Sequence, residues 1–104
     1  RKLWIGFAVA ANGRITVDDG ATSALSQSGG SLLTAGITEV EGAFGAGDAV
    51  DVSDLSGQVF AKGLIAFDSE TAQEWKGSRT EDLAPGTSPV AIHRDDLVLL
   101  DNPS

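Results

Sequence analysis

Cysteine and methionine are absent, and histidine occurs once, as His93. Without cysteine there is no disulfide framework and no thiolate metal site, and the expected setting is the cytoplasm. With one imidazole in the chain, no hydroxyl side chain finds the base that a nucleophile needs. No run of about 18 apolar residues occurs, so no segment reads as a membrane-spanning helix. No basic stretch leads into an apolar one, so no secretion signal is read. Internal repeats, heptads and low-complexity tracts are also missing. Cations are scarce: Arg1, Lys2, Arg14, Lys62, Lys76, Arg79 and Arg94 are scattered among fifteen acidic residues, for a net charge of −8. Nucleic-acid binders usually carry a basic stripe that releases counterions from phosphates, and a field of this sign repels polyanions.

What is present is one domain's worth of chain, 41% hydrophobic, enough for a single modest core. The opening segment RKLWIGFAVA is strongly apolar and reads as a linker running into a strand. With Arg1 first and no methionine, the chain reads as an excised domain. Residues 3–7 alternate as a strand should, Asn12-Gly13 makes a turn, and Ile15 and Val17 mark a second strand. Segment 19–28 has Ala21, Ala24, Leu25 and Ser28 at helical spacing and is stopped by Gly29-Gly30. Segment 31–36 reads as one helical turn closed by Gly36, followed by strands at 37–41 and 49–53 and a turn at 55–57. The longest strand is expected at 58–67, where Lys62-Gly63 signals a bulge or a close backbone approach. Asp68 or Ser69 caps a second helix to about Lys76, with Gly77 following. Ser78 and Glu81 have capping-box spacing, 83–89 is loop by composition, and 90–93 and 97–100 are final apolar bursts. Short strands at this spacing predict a mainly β domain, a barrel or sandwich.

Each chemical signal has a structural counterpart. Asp18 and Asp19 form an acidic pair, but adjacent residues on extended chain point to opposite sides and share no site. One of them instead caps the first helix, where its charge also suits the helix terminus. His93 with Asp95 and Asp96 offers imidazole and carboxylate, too few ligands for a metal centre by themselves. Gly42, Gly45 and Gly47 resemble a phosphate loop but lack its Lys-Ser/Thr, so a strand-joining turn is expected. Trp4, Phe7, Phe44, Phe60, Phe67 and Trp75 are assigned to the core ahead of base stacking. No catalytic, cofactor-binding or metal-binding residue is therefore assigned.

Taken in order, ITVDDGATSAL, SLLTAGITEVEGAF and GDAVDVSDLSGQVFAKGL resemble the PUA domain, a β-pseudobarrel found on RNA-modifying enzymes. The resemblance implies a mainly β, PUA-like pseudobarrel of short mixed strands with two short helices. Residues 14–67 follow the family's order, with Thr34 standing where the family usually has proline. RKLWIGFA and AIHRDDLVLL, at the two ends, resemble the C-terminal region of the bacterial glutamate 5-kinase family. Segment 77–89, GSRTEDLAPGTSP, departs from that family, which has a longer helical stretch and a Gly-Tyr-containing loop there.

On this resemblance residues 1–13 are the linker and first strand entering the domain, and 14–104 are the PUA domain. The parent enzyme is expected to use ATP and Mg²⁺, in a separate amino-acid-kinase domain, to phosphorylate the side-chain carboxylate of L-glutamate, the first step of proline biosynthesis. No residue of that machinery has a counterpart in this chain. The implied role is regulatory or in assembly, with the amino-acid-kinase domain as partner and a homo-oligomer of the parent to be expected. The alternative is an RNA-binding module. In PUA domains that bind RNA, the first helix and the strand after it meet the nucleic acid, which singles out Arg14, Gly20 and Lys62. Gly20 and Gly36 are further expected to occupy positions without room for a Cβ.

Overall fold

The computed structural model describes residues 11–100; the strand expected at 3–7, with Trp4 and Phe7, lies outside them. Five strands, β1 (Gly13–Val17), β3 (Ile37–Gly42), β4 (Ala49–Ser53), β5 (Val59–Leu64) and β7 (Leu97–Leu99), form a mixed sheet in the order β3-β1-β4-β5-β7. The β1–β4 pair is parallel and the others are antiparallel. Two short strands, β2 (Leu32–Leu33) and β6 (Val90–Ile92), pair antiparallel as a separate ribbon. Both sheets contribute to one core, and among the described residues no strand pairing closes them into a full barrel.

Alternation decides which face is buried. Ile15 and Val17 of β1, Val50 and Val52 of β4 and Ala61 of β5 are wholly buried, and Leu32 and Ile92 meet them from the ribbon. Asp51, between Val50 and Val52, points to the other face. β4 is central, and its Ser53 is buried there too, with its Oγ 3.1 Å from Thr16 Oγ1. Each hydroxyl thus satisfies the other, which a buried polar pair requires. The register between β4 and β5 skips Phe60, so the bulge lies there. Gly63 is instead a close approach: a Cβ would stand 2.6 Å from Ile92 Cγ2 and 2.9 Å from the Asp96 carbonyl oxygen. That glycine lets β5 pass under the β6–β7 connection.

The first helix, α1 (Asp19–Ser28), begins and ends as its local sequence dictates. Asp18 is the cap, its Oδ1 accepting from the Ala21 amide at 2.8 Å, and Gly29 terminates the helix with φ of 64°. Leu25 is its buried residue, and Ala21 packs against the core beside it. The second helix, α2 (Ser69–Trp75), is capped by Asp68, which accepts from the Thr71 amide at 2.9 Å. Gly77 follows it with φ of 76°. Phe67 packs against Trp75 with ring centroids 5.1 Å apart, and Gln73 Nε2 donates to the Val40 carbonyl at 2.8 Å, so α2 lies along the β3 edge.

Two local expectations are corrected. Segment 31–36 is a short strand followed by a single 3-10 turn, Thr34–Gly36, because Leu32 and Leu33 find partners in β6 that sequence spacing does not show. The turn after α2 is Thr80–Asp82, and the amide of Arg79 donates to Asp82 Oδ2 at 3.1 Å. Ser78 and Glu81 do not form the capping box, because the turn starts one residue later, with Arg79 as its cap and Asp82 in the third position.

Candidate functional site

A groove of about 270 Å³ separates α1 from β2 and the turn after it. One wall is the first half of α1, with Asp18, Gly20, Ala21 and Ala24; the other carries Leu32, Leu33, Ala35 and Gly36. The rear is closed where backbone meets helix: the Asp18 amide donates to the Gly36 carbonyl at 3.0 Å. A Cβ on Gly36 would stand 2.7 Å from Ala21 Cβ, so this glycine allows the two walls to touch. Leu33, 44% exposed, forms the rim. Among the described residues no cation and no aromatic ring lines the groove, and the one ionisable group lining it is Asp18.

The turn that carries the second wall is anchored from behind. Thr34 is wholly buried, and each of its three hydrogen-bonding groups reaches the segment after α2. Its amide donates to the Pro89 carbonyl at 2.9 Å, its Oγ1 to the Ser78 carbonyl at 2.8 Å, and its carbonyl accepts from the Gly77 amide at 2.8 Å. Thr34 and segment 77–89, the two places read from the sequence as departures from the family pattern, are therefore in direct contact. Proline at 34 has no amide hydrogen and no hydroxyl to make two of these bonds.

Of the residues singled out for RNA contact, Gly20 lines the groove, whereas Arg14 and Lys62 do not. Strand register places both cations on the outer face of the five-stranded sheet. Arg14 stands opposite Glu41 on one side and Asp51 on the other, and Asp51 stands opposite Lys62, giving the row Glu41–Arg14–Asp51–Lys62 of alternating sign. An Arg14 guanidinium nitrogen lies 2.8 Å from Glu41 Oε2, with the two side chains 39% and 51% exposed. A pair so exposed contributes about 0.2–1 kcal/mol. Contrary to the expectation that it lacks room, Gly20 is open: the nearest atom to an added Cβ is Asp18 Oδ1 at 3.5 Å.

The other sequence candidates resolve into turn chemistry. The amide of Asp95 donates to His93 Nδ1 at 3.1 Å, so the imidazole caps the 3-10 turn Arg94–Asp96. Among the described residues no group of three or more histidine, aspartate or glutamate side chains gathers in a way that would hold a metal. In the glycine loop Gly42 and Gly47 have φ near 90°, and Asp48 Oδ2 accepts from the Gly45 amide at 2.8 Å. The Gly45 amide thus serves the turn itself, while the Phe44 and Gly47 amides donate to Ser69 Oγ at 3.3 Å and to the Ile65 carbonyl at 2.7 Å. Phe44 is buried, and Phe60 and Phe67 pack against the core. No helix among the described residues is long and apolar enough to cross a membrane.

A mixed sheet joined to a two-stranded ribbon, with a capped helix after the first core strand, defines a PUA architecture. The PUA domain model matches residues 13–86, and the chain belongs to that family. It is 47% identical over 104 residues to glutamate 5-kinase of Frankia casuarinae, an alignment covering 96% of this chain and 28% of that protein. The chain therefore spans little more than a quarter of the relative's length. Among solved structures, a PUA domain from Aeropyrum pernix K1, determined as a tartrate complex, is 29% identical with a TM-score of 0.61, covering 80% of this chain and 43% of that one. An archaeal box H/ACA sRNP complex contains the same fold at 23% identity and a TM-score of 0.55, covering 80% of this chain and 25% of that one.

Proposed function

We propose that this chain is the non-catalytic C-terminal domain of a glutamate 5-kinase, with a regulatory or assembly role exerted through protein contacts. The carrying observation is that 47% identity to such a kinase runs through 96% of the chain while covering 28% of the relative. The remainder of such a protein is where ATP and Mg²⁺ meet glutamate. On this reading residues 1–13 are the connection, residues 14–104 are the domain, and the setting is cytoplasmic. The partner is the amino-acid-kinase domain, alone or in a homo-oligomer. Deleting residues 1–104 from the intact enzyme tests the reading. Glutamate phosphorylation is expected to persist, with altered proline response, magnesium demand or oligomeric state; unchanged regulation and assembly would overturn it.

Membership of the PUA family supports a second reading, an RNA-binding module contacted through Arg14, Gly20 and Lys62. Charge weighs against it: Arg14 is ion-paired with Glu41, Lys62 stands opposite Asp51, and the chain's net charge is −8. Little counterion release is available from so few cations. Titration of fluorescent bulk tRNA at low and then moderate salt tests it. Saturable binding that weakens with salt and is reduced by Lys62→Glu would establish it, and no binding at low salt would remove it.

A further inference from the structure

The groove beside α1 has a chemistry of its own. Its walls are small and apolar, Ala21 and Ala24 facing Leu32 and Ala35, and its exposed rim is Leu33. An opening of about 270 Å³ admits one branched aliphatic side chain. Asp18 lines it, and its Oδ1 is fixed by the Ala21 amide at 2.8 Å, so the carboxylate is held in place before anything binds. Asp19 is exposed beside it and adds charge of the same sign. A phosphodiester placed here would meet a carboxylate with no cation among the described lining residues to offset it, and a base would find no ring among them to stack on. A polypeptide carrying an apolar anchor and an adjacent cation meets complementary groups at both points.

We infer that this groove is a docking site for a polypeptide segment presenting a leucine-sized side chain next to an arginine or lysine. The inference rests on the protein-contact reading above and gives the partner's chemistry. The partner's anchor enters between the α1 alanines and the Thr34–Gly36 turn, and its cation faces Asp18.

The test titrates the ¹⁵N-labelled 104-residue chain with acetyl-Gly-Leu-Arg-Gly-amide, and in parallel with the peptide bearing glutamate in place of arginine. The arginine peptide is expected to shift amides of residues 18–25 and 31–36, and to bind about fivefold more tightly than the glutamate peptide, as one exposed charge contact allows. Asp18→Asn retains a capping side chain and should bring the two peptides to within about twofold of each other, Asp19 remaining. Ala24→Leu alters an exposed helical position at little cost in helix propensity, and should abolish the shifts by filling the groove without lowering Tm. No shift at millimolar peptide, equal binding of both peptides, or tRNA moving these amides when the arginine peptide does not, would each overturn the inference. If the deletion experiment changes the kinase while the groove ignores both peptides, the protein-contact reading stands and the docking site falls.

Discussion

Thr34 Oγ1 donates a 2.8 Å hydrogen bond to the Ser78 carbonyl, across 44 positions of sequence. With the bond from the Thr34 amide to Pro89, it ties the turn forming one groove wall to the segment between α2 and β6. Thr34→Pro removes both donors from a wholly buried position and leaves two carbonyls to find new partners. A loss of about 1–3 kcal/mol is expected, read as a drop in Tm. Thr34→Val keeps the amide and should cost less than Thr34→Pro.

Gly36 and Gly20 should respond to alanine with opposite signs. At Gly36 the new Cβ meets Ala21 Cβ at 2.7 Å and must push α1 away, at about 1–3 kcal/mol. At Gly20, in the first turn of α1, the space is open and φ lies outside the left-handed region. Alanine there reduces the freedom of the unfolded chain and should stabilise by about 0.4–1 kcal/mol. Chemical denaturation of the two variants checks both signs in one experiment.

The acidic pair can be separated by substitution. Asp18→Ala removes the side-chain acceptor for the Ala21 amide, and should cost about 0.5–2 kcal/mol. Asp19→Ala removes only a favourable charge in the first helical turn, worth about 0.3–1 kcal/mol. Equal losses from the two variants would contradict the assignment of Asp18 as the cap.

Acid should weaken the domain through Asp54 and Asp68. The Ser56 hydroxyl, with the Gln58 and Ser56 amides, holds the Asp54 carboxyl below the ordinary 3.8. Hydrogen bonds from Thr71 do the same for Asp68. Both groups bind a proton less readily folded than unfolded, so their contribution is fully present above the unfolded value near 3.8 and is lost as pH falls through the folded values. Tm measured from pH 5 downward should fall more steeply for the native chain than for an Asp54→Asn, Asp68→Asn double variant.

Lys62→Glu should destabilise the domain whether or not RNA binds it. The change puts a carboxylate directly opposite Asp51, and like charges in cross-strand register cost about 0.2–1 kcal/mol. Added salt should shrink the difference in Tm from the native chain.

The sequence by itself determined what depends on neighbours in the chain. The Asp18 and Asp68 caps, the Gly29 and Gly77 helix ends and the buried alternation of Ile15, Val17, Val50 and Val52 follow from local hydrogen bonding and side-chain period. For the same reason the acidic pair could be read as a helix start. Only the tertiary structure decided what depends on register and crossing. Arg14 and Lys62 look like available cations until strand pairing sets them opposite Glu41 and Asp51. Leu32 and Leu33 look helical until β6 supplies a partner. Thr34 carried a faint signal, since the sequence set it apart, along with segment 77–89, from the pattern expected of the family. That these two departures are one set of hydrogen bonds is a long-range fact, because its energy exists only once α2 and β6 have brought Ser78 and Pro89 to the turn.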